Sequence, residues 1–99
     1  MATRMTGRLA LTLIHEAAAD SGRVYFTVHA EQRMRQRRIT RPQVIECLLK
    51  GRLTEGPAPD LHGNWTCRLE RRVAGDAVGV AVAIERETSL IVITVFEAK

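Results

Sequence analysis

The fold is decided by Ile39-Thr40-Arg41-Pro42-Gln43-Val44-Ile45-Glu46-Cys47-Leu48-Leu49-Lys50-Gly51, a stretch that carries both start and stop signals for a helix. Thr40, with Gln43 three residues later, matches a capping box, and Pro42 suits the first turn, where a missing N–H costs nothing. Gly51 is a typical end of a helix. The residues between these signals recur at helical spacing and form one apolar stripe, namely Val44, Ile45, Leu48 and Leu49. The sequence therefore predicts a helix over residues 41–50.

Two further helices and a short strand are predicted upstream of this helix. Residues 8–20 place five apolar side chains on one helical face, namely Ala10, Leu13, Ile14, Ala17 and Ala18. Gly22 is suited to the left-handed position that follows a helix. Residues 24–28 are rich in β-forming residues, and residues 29–38 contain good helix formers without Gly or Pro.

After Gly51 the hydrophobic period changes from helical to alternating. Residues 53–55 form a short strand before a Gly/Pro loop at 56–60, and strands follow over 65–73, 78–84 and 90–96, with turns at 75–76 and 85–89. The last strand is apolar on both faces, which predicts an interior strand covered, or nearly covered, on both sides. We expect an α+β fold with N-terminal helices packed on a small antiparallel β-sheet. It forms one domain over residues 1–99, with 8–20 as an extra helix on a core of 23–97.

The overall composition is that of a globular protein without a membrane segment or a prosthetic group. It is 45 % hydrophobic, and no apolar run approaches the roughly 20 residues that a span needs. His15 and Glu16 interrupt the only run that resembles a secretion signal, so we expect a cytoplasmic protein. Cys47 and Cys67 lack metal-ligand spacing and are expected to be free thiols. No nucleotide-binding or metal-binding motif is present, and we expect no cofactor.

The positive charge of the chain is concentrated in residues 29–41. The formal net charge is +4, and this segment carries five arginines against the single acid Glu31. Residues 42–99, in contrast, carry seven bases and eight acids. A basic patch on a nearly neutral body indicates a localised anionic partner, which is RNA, DNA or an acidic protein.

A helix over 29–38 brings His29 and Arg33 side by side, because they are four residues apart. Arg37 lies at the margin of the same face, and Ala30 with Met34 can anchor the helix. An imidazole beside a permanent guanidinium suits proton transfer and phosphate binding. The alternative is a solvated basic face on which His29 only caps the helix.

Three arginines of the predicted 65–73 strand, Arg68, Arg71 and Arg72, form a second basic element, with Arg71 on the strand face of Trp65. Arg68 and Arg72 share one strand face, because side chains alternate along a strand. Beside the basic helix they would line an anion-binding groove. The alternative is that they protect an exposed strand or pair with Glu70 and Glu85.

The pattern His29-Ala30-x-x-Arg33-Met34-x-x-Arg37-x-Ile39-Thr40, followed by Val44 and Gly51, resembles the prokaryotic domain-of-unknown-function family 4258. The Trp65 strand and the closing Ile93-Thr94-Val95-Phe96 are similar to the end of that family, so the resemblance covers about residues 23–97. The family in turn resembles the RelE/ParE toxin-like superfamily, whose order of elements agrees with the order predicted above.

This resemblance implies a toxin of a toxin–antitoxin type system that cleaves RNA, such as ribosome-associated mRNA, without a metal ion. It also implies a cognate antitoxin as a partner, and a homodimer is one arrangement of such a toxin. Carried over to this sequence, it makes His29 and Arg33 the catalytic residues and Arg37 and Arg68 nucleic-acid-binding residues, to which the strand alternation adds Arg72.

Two other functions remain open at this point. One is a gyrase-directed toxin without ribonuclease activity, and the other is a non-catalytic module that binds nucleic acid or protein. The ribonucleases of the superfamily often carry Tyr or His near the last strand. Here that position is Phe96, which cannot transfer a proton.

Overall fold

A computed structural model describes residues 5–73, 76–85 and 89–98 of the chain. The elements follow in the order α1 (Gly7–Ala19), a 3₁₀ turn (Ser21–Arg23), β1 (Val24–Phe26), α2 (Val28–Arg37), α3 (Arg41–Lys50), β2 (Arg52–Pro59), β3 (Trp65–Val73), β4 (Asp76–Glu85) and β5 (Ser89–Glu97). The predicted α+β class and the predicted order of helices and strands are confirmed. No helix in these ranges is long and apolar enough to cross a membrane.

All five strands belong to one sheet in the order β1-β5-β4-β3-β2. Strands β2 to β5 pair antiparallel with their neighbours, but β1 runs parallel to β5, with Val24 opposite Leu90. The expectation of an antiparallel sheet was therefore wrong, and the sheet is mixed. A parallel pair needs a long crossover connection, and here the two helices and three strands between β1 and β5 supply it.

The third helix has the bounds that the sequence predicts. The Thr40 hydroxyl accepts a hydrogen bond from the Gln43 backbone N–H at 3.3 Å, and the Gln43 side chain accepts one from the Thr40 N–H at 2.7 Å. The helix ends at Lys50. Gly51 is in ordinary extended backbone, but a Cβ there would overlap the carbonyl oxygen of Cys47. Glycine is therefore required by a close approach rather than by a left-handed conformation.

The three helices pack on one face of the sheet around an aliphatic core. The core includes the alternate β4 residues Val78, Val80, Val82 and Ile84, together with Ile14 of α1 and Leu48 of α3. Ala81 and Ala83 point to the other face, outside this core cluster, although both are buried. The strand buried on both faces is therefore β4. Strand β5 is interior, between β1 and β4, as predicted, and it is covered less completely than β4, with Ile93 36 % exposed.

Three other expectations were made from local signals. The Gly/Pro segment 56–59 continues β2 instead of forming a loop, because an edge strand tolerates the missing N–H of Pro57 and Pro59. Gly22 is not left-handed, since α1 ends at Asp20 in extended backbone. Of the two predicted turns, residue 75 of the first and residues 86–88 of the second lie outside the described residues.

Candidate nucleic-acid interface

The orientation of α2 is fixed by the cap at its start and by the side chains that it buries in the core. The Thr27 hydroxyl caps the helix by accepting the Ala30 N–H at 3.0 Å, and it lies 3.1 Å from the carbonyl oxygen of Val92, to which it donates. Ala30 and Met34 are buried in the core, as predicted. The first turn of α2 is thus held to β5, and the opposite side of the helix is turned outward.

His29 and Arg33 lie on successive turns of this outward side. His29 is exposed, and in the described part of the chain its side chain makes no hydrogen bond or ion pair. Arg33 is half-buried, and its Nη1 donates to the Gln36 side-chain oxygen at 3.3 Å. The structure thus leaves an accessible imidazole one turn away from a guanidinium that a neighbouring amide orients.

Arg37 lies near the end of α2 and faces Glu97 of β5. The closest nitrogen–oxygen distance is 3.8 Å, and both side chains are about half exposed. At that distance the two groups attract each other without forming a hydrogen bond, and exposed pairs of this kind contribute little stability. Arg37 is therefore free to turn toward an anionic ligand.

The acidic residue of α2 points in another direction. Glu31 pairs with Arg41 at 2.9 Å, and the Arg41 guanidinium also lies over the ring of Phe26, 4.5 Å from its centre. These contacts join α2, α3 and β1. The only acid of the segment 29–41 is therefore occupied by a structural arginine, and it does not neutralise His29 or Arg33.

Arg68 lies on the face of the sheet that carries no helix. It is opposite Ala81 of β4 and pairs with Glu55 of β2 at 3.1 Å. Because α2 packs on the other face, Arg68 does not share a groove with His29 and Arg33. The sequence correctly predicts that side chains alternate between the two faces along β3. This alternation does not tell which face of the sheet the helices cover.

Arg72 lies on the same strand face as Arg68, at the end of β3. It is opposite Ala77, and the next β4 residue, Val78, is opposite Glu97. Arg72 and the Glu97 partner of Arg37 thus belong to one end of the sheet. They are two strands apart, which is about 10 Å. Arg72 therefore lies near the same end of the sheet as Glu97, but on the helix-free face that it shares with Arg68, whereas Arg37 and Glu97 lie on the helix-covered side.

A cleft at the end of β3 brings Lys50 and Arg52, which the sequence does not mark as binding residues, together with Arg71 and Arg72 of the second basic element. It has a volume of ≈ 260 Å³ and is lined by Lys50, Arg52, Glu70, Arg71 and Arg72. Lys50 and Arg52 have a local signal in the sequence, because they flank Gly51, where α3 ends and β2 begins. Their approach to the end of β3 depends on the pairing of β2 with β3.

Both cysteines are buried free thiols in the core. Burial raises the pKa of Cys47 to about 12 and that of Cys67 to about 11. A thiol needs a lowered pKa to act as a nucleophile, so neither is suited to covalent chemistry. The described residues contain no group of three or more His, Cys, Asp or Glu side chains that could hold a metal ion.

A comparison with known proteins gives one result. A family model with the description "Domain of unknown function (DUF4258)" matches residues 26–97, which include α2, α3 and the strands β2 to β5 but leave α1 outside. No curated protein and no solved structure matches the chain.

Proposed function

The chain belongs to the DUF4258 family, and from this premise we propose that it is a RelE/ParE-like toxin that binds RNA along α2 and cleaves it without a metal ion. The observation that carries the proposal is the exposed His29 beside Arg33, on a helix whose other side is anchored in the core. A general base and a cation close together are what RNA transesterification needs.

In the proposed reaction the RNA 2′-oxygen attacks the adjacent phosphorus atom. His29 takes the 2′-OH proton, and the Arg33 guanidinium stabilises the negative charge of the pentavalent phosphorane. The bond from phosphorus to the 5′-oxygen breaks, and the imidazolium returns the proton to that oxygen. The products are a 2′,3′-cyclic phosphate and a 5′-hydroxyl end.

The flanking phosphates would contact Arg37 on the α2 side of the sheet and then pass around the end of the sheet to Arg72 on the opposite face. Both side chains are exposed, and Arg37 has only a weak contact with Glu97. Arg68 is held by Glu55 and faces away from α2, so we leave it outside this path. The proposed antitoxin would cover the outward side of α2 with an acidic segment, because the α2 surface is basic.

The test is cleavage of an end-labelled RNA by the purified protein in the presence of EDTA. We expect wild-type cleavage to persist in the chelator and His29→Ala to lower the rate by a factor of about 10²–10⁴, the usual contribution of acid–base catalysis. Arg33→Ala should also lower the rate. The matched control is His15→Ala, since His15 is an exposed histidine of α1. Cleavage by His29→Ala at the wild-type rate would refute the assignment.

The second candidate function is a non-catalytic RNA-binding module. It is favoured by Phe96, whose ring lies under Arg68 and carries no transferable proton. The same assay separates the two candidates. The module predicts RNA binding without cleavage, with equal affinity for wild type and His29→Ala at neutral pH and weaker binding for Arg33→Ala.

A further inference from the structure

We propose that the cleft between the end of α3, the start of β2 and the end of β3 binds a phosphate group, at a site separate from α2. It is defined by Lys50, Arg52, Glu70, Arg71 and Arg72 and is called the β3-end cleft below. The site does not depend on His29 or Arg33, so it can exist whether or not the protein cleaves RNA.

The backbone around Gly51 brings the basic side chains together. Lys50 ends α3 and Arg52 begins β2, and no side chain fits between them because a Cβ at Gly51 would overlap the Cys47 carbonyl. Arg52 is opposite Glu70 in the β2–β3 register. The two basic residues are thereby held beside the end of β3, in a cleft of ≈ 260 Å³. This volume holds a phosphate group and several water molecules, since each water takes about 30 Å³.

The charges of the cleft are not balanced within the protein. Four cationic side chains line it against one carboxylate, that of Glu70. Lys50, Arg52 and Arg72 make no ion pair within 4.0 Å among the side chains that the structure describes. The carboxylate of Glu70 offsets only part of the repulsion among these cations in one small volume. An anion in the cleft would relieve that repulsion.

Arg71 supplies a second, independent observation. Its Nη2 donates to Glu46 at 2.9 Å, which fixes the guanidinium, and its side chain is only 25 % exposed. Its Nε is buried and has no hydrogen-bond partner. Buried donors are nearly always satisfied, so this nitrogen is available to an added acceptor, either a water molecule or a ligand atom. An anion oxygen in the cleft would accept from it after a shift of the Arg71 side chain, which lines the cleft.

The arrangement fits a phosphate better than the carboxylates of an acidic peptide. The donors come from three elements and reach one compact volume from different directions. A tetrahedral phosphate presents several oxygens that can accept from such directions, whereas a carboxylate presents two in one plane. The phosphate belongs either to the backbone of an RNA strand or to its 5′ end.

The first measurement is titration of the full chain with inorganic phosphate, followed by backbone amide NMR. At constant ionic strength we expect saturable shifts at residues 50–52 and 70–72 in wild type, and their loss in Lys50→Ala/Arg52→Ala. The control is Arg8→Ala/Arg35→Ala, which removes the same charge from exposed positions that do not line the cleft. Shifts that are absent in wild type, or unchanged in Lys50→Ala/Arg52→Ala, would overturn the proposal.

The second measurement identifies the source of the phosphate. The affinity of one short RNA is compared with a 5′-phosphate and with a 5′-hydroxyl, over a range of salt concentrations. Binding of a terminal phosphate predicts tighter binding of the 5′-phosphorylated RNA by about tenfold in wild type, and no difference in Lys50→Ala/Arg52→Ala. Binding of the backbone predicts equal affinities, with the slope of log K against log[salt] smaller by about 0.7 for each lost contact in that variant.

Arg72→Ala is an additional variant with the same expected direction. Either result, tighter binding of the 5′-phosphorylated RNA by wild type or a smaller salt slope in Lys50→Ala/Arg52→Ala, supports the proposal. It is overturned if the cleft variants bind both RNAs as the control variant does. It is also overturned if a glutamate-rich peptide of the same charge shifts residues 50–52 and 70–72 at lower concentration than the RNA.

Discussion

The guanidinium of Arg68 lies over the ring of Phe96, with its central carbon 5.0 Å from the ring centre. The same ring covers Gly79 of β4 so closely that a Cβ at this glycine would overlap three ring atoms. Arg68 is held from its other side by Glu55. The helix-free face of the sheet thus carries a stack across three strands, with the glycine at its base.

Gly79→Ala should lower the free energy of unfolding by about 1–3 kcal/mol, because the added methyl group displaces the Phe96 ring. Urea denaturation measures the change. Phe96→Ala in the Gly79→Ala background removes the overlap, so the effects of the two substitutions should not add. Additivity within about 0.5 kcal/mol would contradict the contact.

Thr40→Ala should lower the free energy of unfolding by about 1 kcal/mol, because it removes the hydroxyl that caps α3. For a domain of this size the melting temperature falls by about 4–8 °C. Thr12→Ala is the matched control. Thr12 lies inside α1 and its hydroxyl bonds the Arg8 carbonyl, so alanine, a better helix former, should not lower stability. Equal losses in the two variants would mean that the cap is unimportant.

Thr27→Val should destabilise the fold by about 1–2 kcal/mol, since the hydroxyl both caps α2 and donates to the Val92 carbonyl. Thr27→Ser keeps the hydroxyl and should retain most of the stability. Hydrogen exchange of the α2 amides measures the local effect, and we expect faster exchange in the valine variant. Unchanged exchange in that variant would show that the helix is held by Ala30 and Met34 alone.

The stability of the protein should fall between pH 9 and pH 12. In the unfolded chain Cys47 loses its proton near its ordinary pKa of 9.0, whereas in the folded chain burial raises this pKa to about 12. The unfolded state therefore binds fewer protons across this range, and the free energy of unfolding decreases as pH rises. Cys47→Ala is less stable at neutral pH but should show a weaker fall above pH 9. Equal pH slopes for the two proteins would contradict the burial of the thiol.

If the proposed toxin function is correct, induced expression of the wild-type chain should arrest growth, and co-expression of the proposed antitoxin should restore it. His29→Ala and Arg33→Ala should be harmless at the same protein level, because each removes one part of the proposed site. His15→Ala should remain toxic. Harmless wild-type protein would end the toxin proposal, whereas toxicity of all the variants would place the toxic site elsewhere.

Local signals were sufficient for α3 and insufficient for the sheet. Every signal that bounds α3 lies between Ile39 and Gly51, so the helix was predicted with its observed ends. The partner of β1, in contrast, is 66 residues further along the chain, and nothing in Val24–Phe26 marks a parallel pair. The sequence predicts a loop at residues 56–59 because Gly and Pro usually end a strand. An edge strand tolerates these residues, and the edge position of β2 follows only from the order of strands in the sheet.

Part of the candidate site could likewise be predicted from local sequence signals, and part of it could not. The neighbourhood of His29 and Arg33 follows from helical spacing, and the burial of Ala30 and Met34 followed correctly from the same pattern. Whether Arg68 faces α2 depends on which side of the sheet the helices cover. The β3-end cleft combines Lys50 with Arg72 across 22 positions, and no local pattern joins them.

The pairing of β1 with β5 also has a consequence for the order of events during translation. The Thr27 hydroxyl and the backbone of β1 find their partners in residues 90–93. Domains fold as their segments leave the ribosome, from the N-terminus onward. While residues 90–93 are still inside the exit tunnel, β1 has no paired strand and α2 lacks the strand on which it packs. The surface that carries His29 is therefore completed only after β5 has emerged from the ribosome.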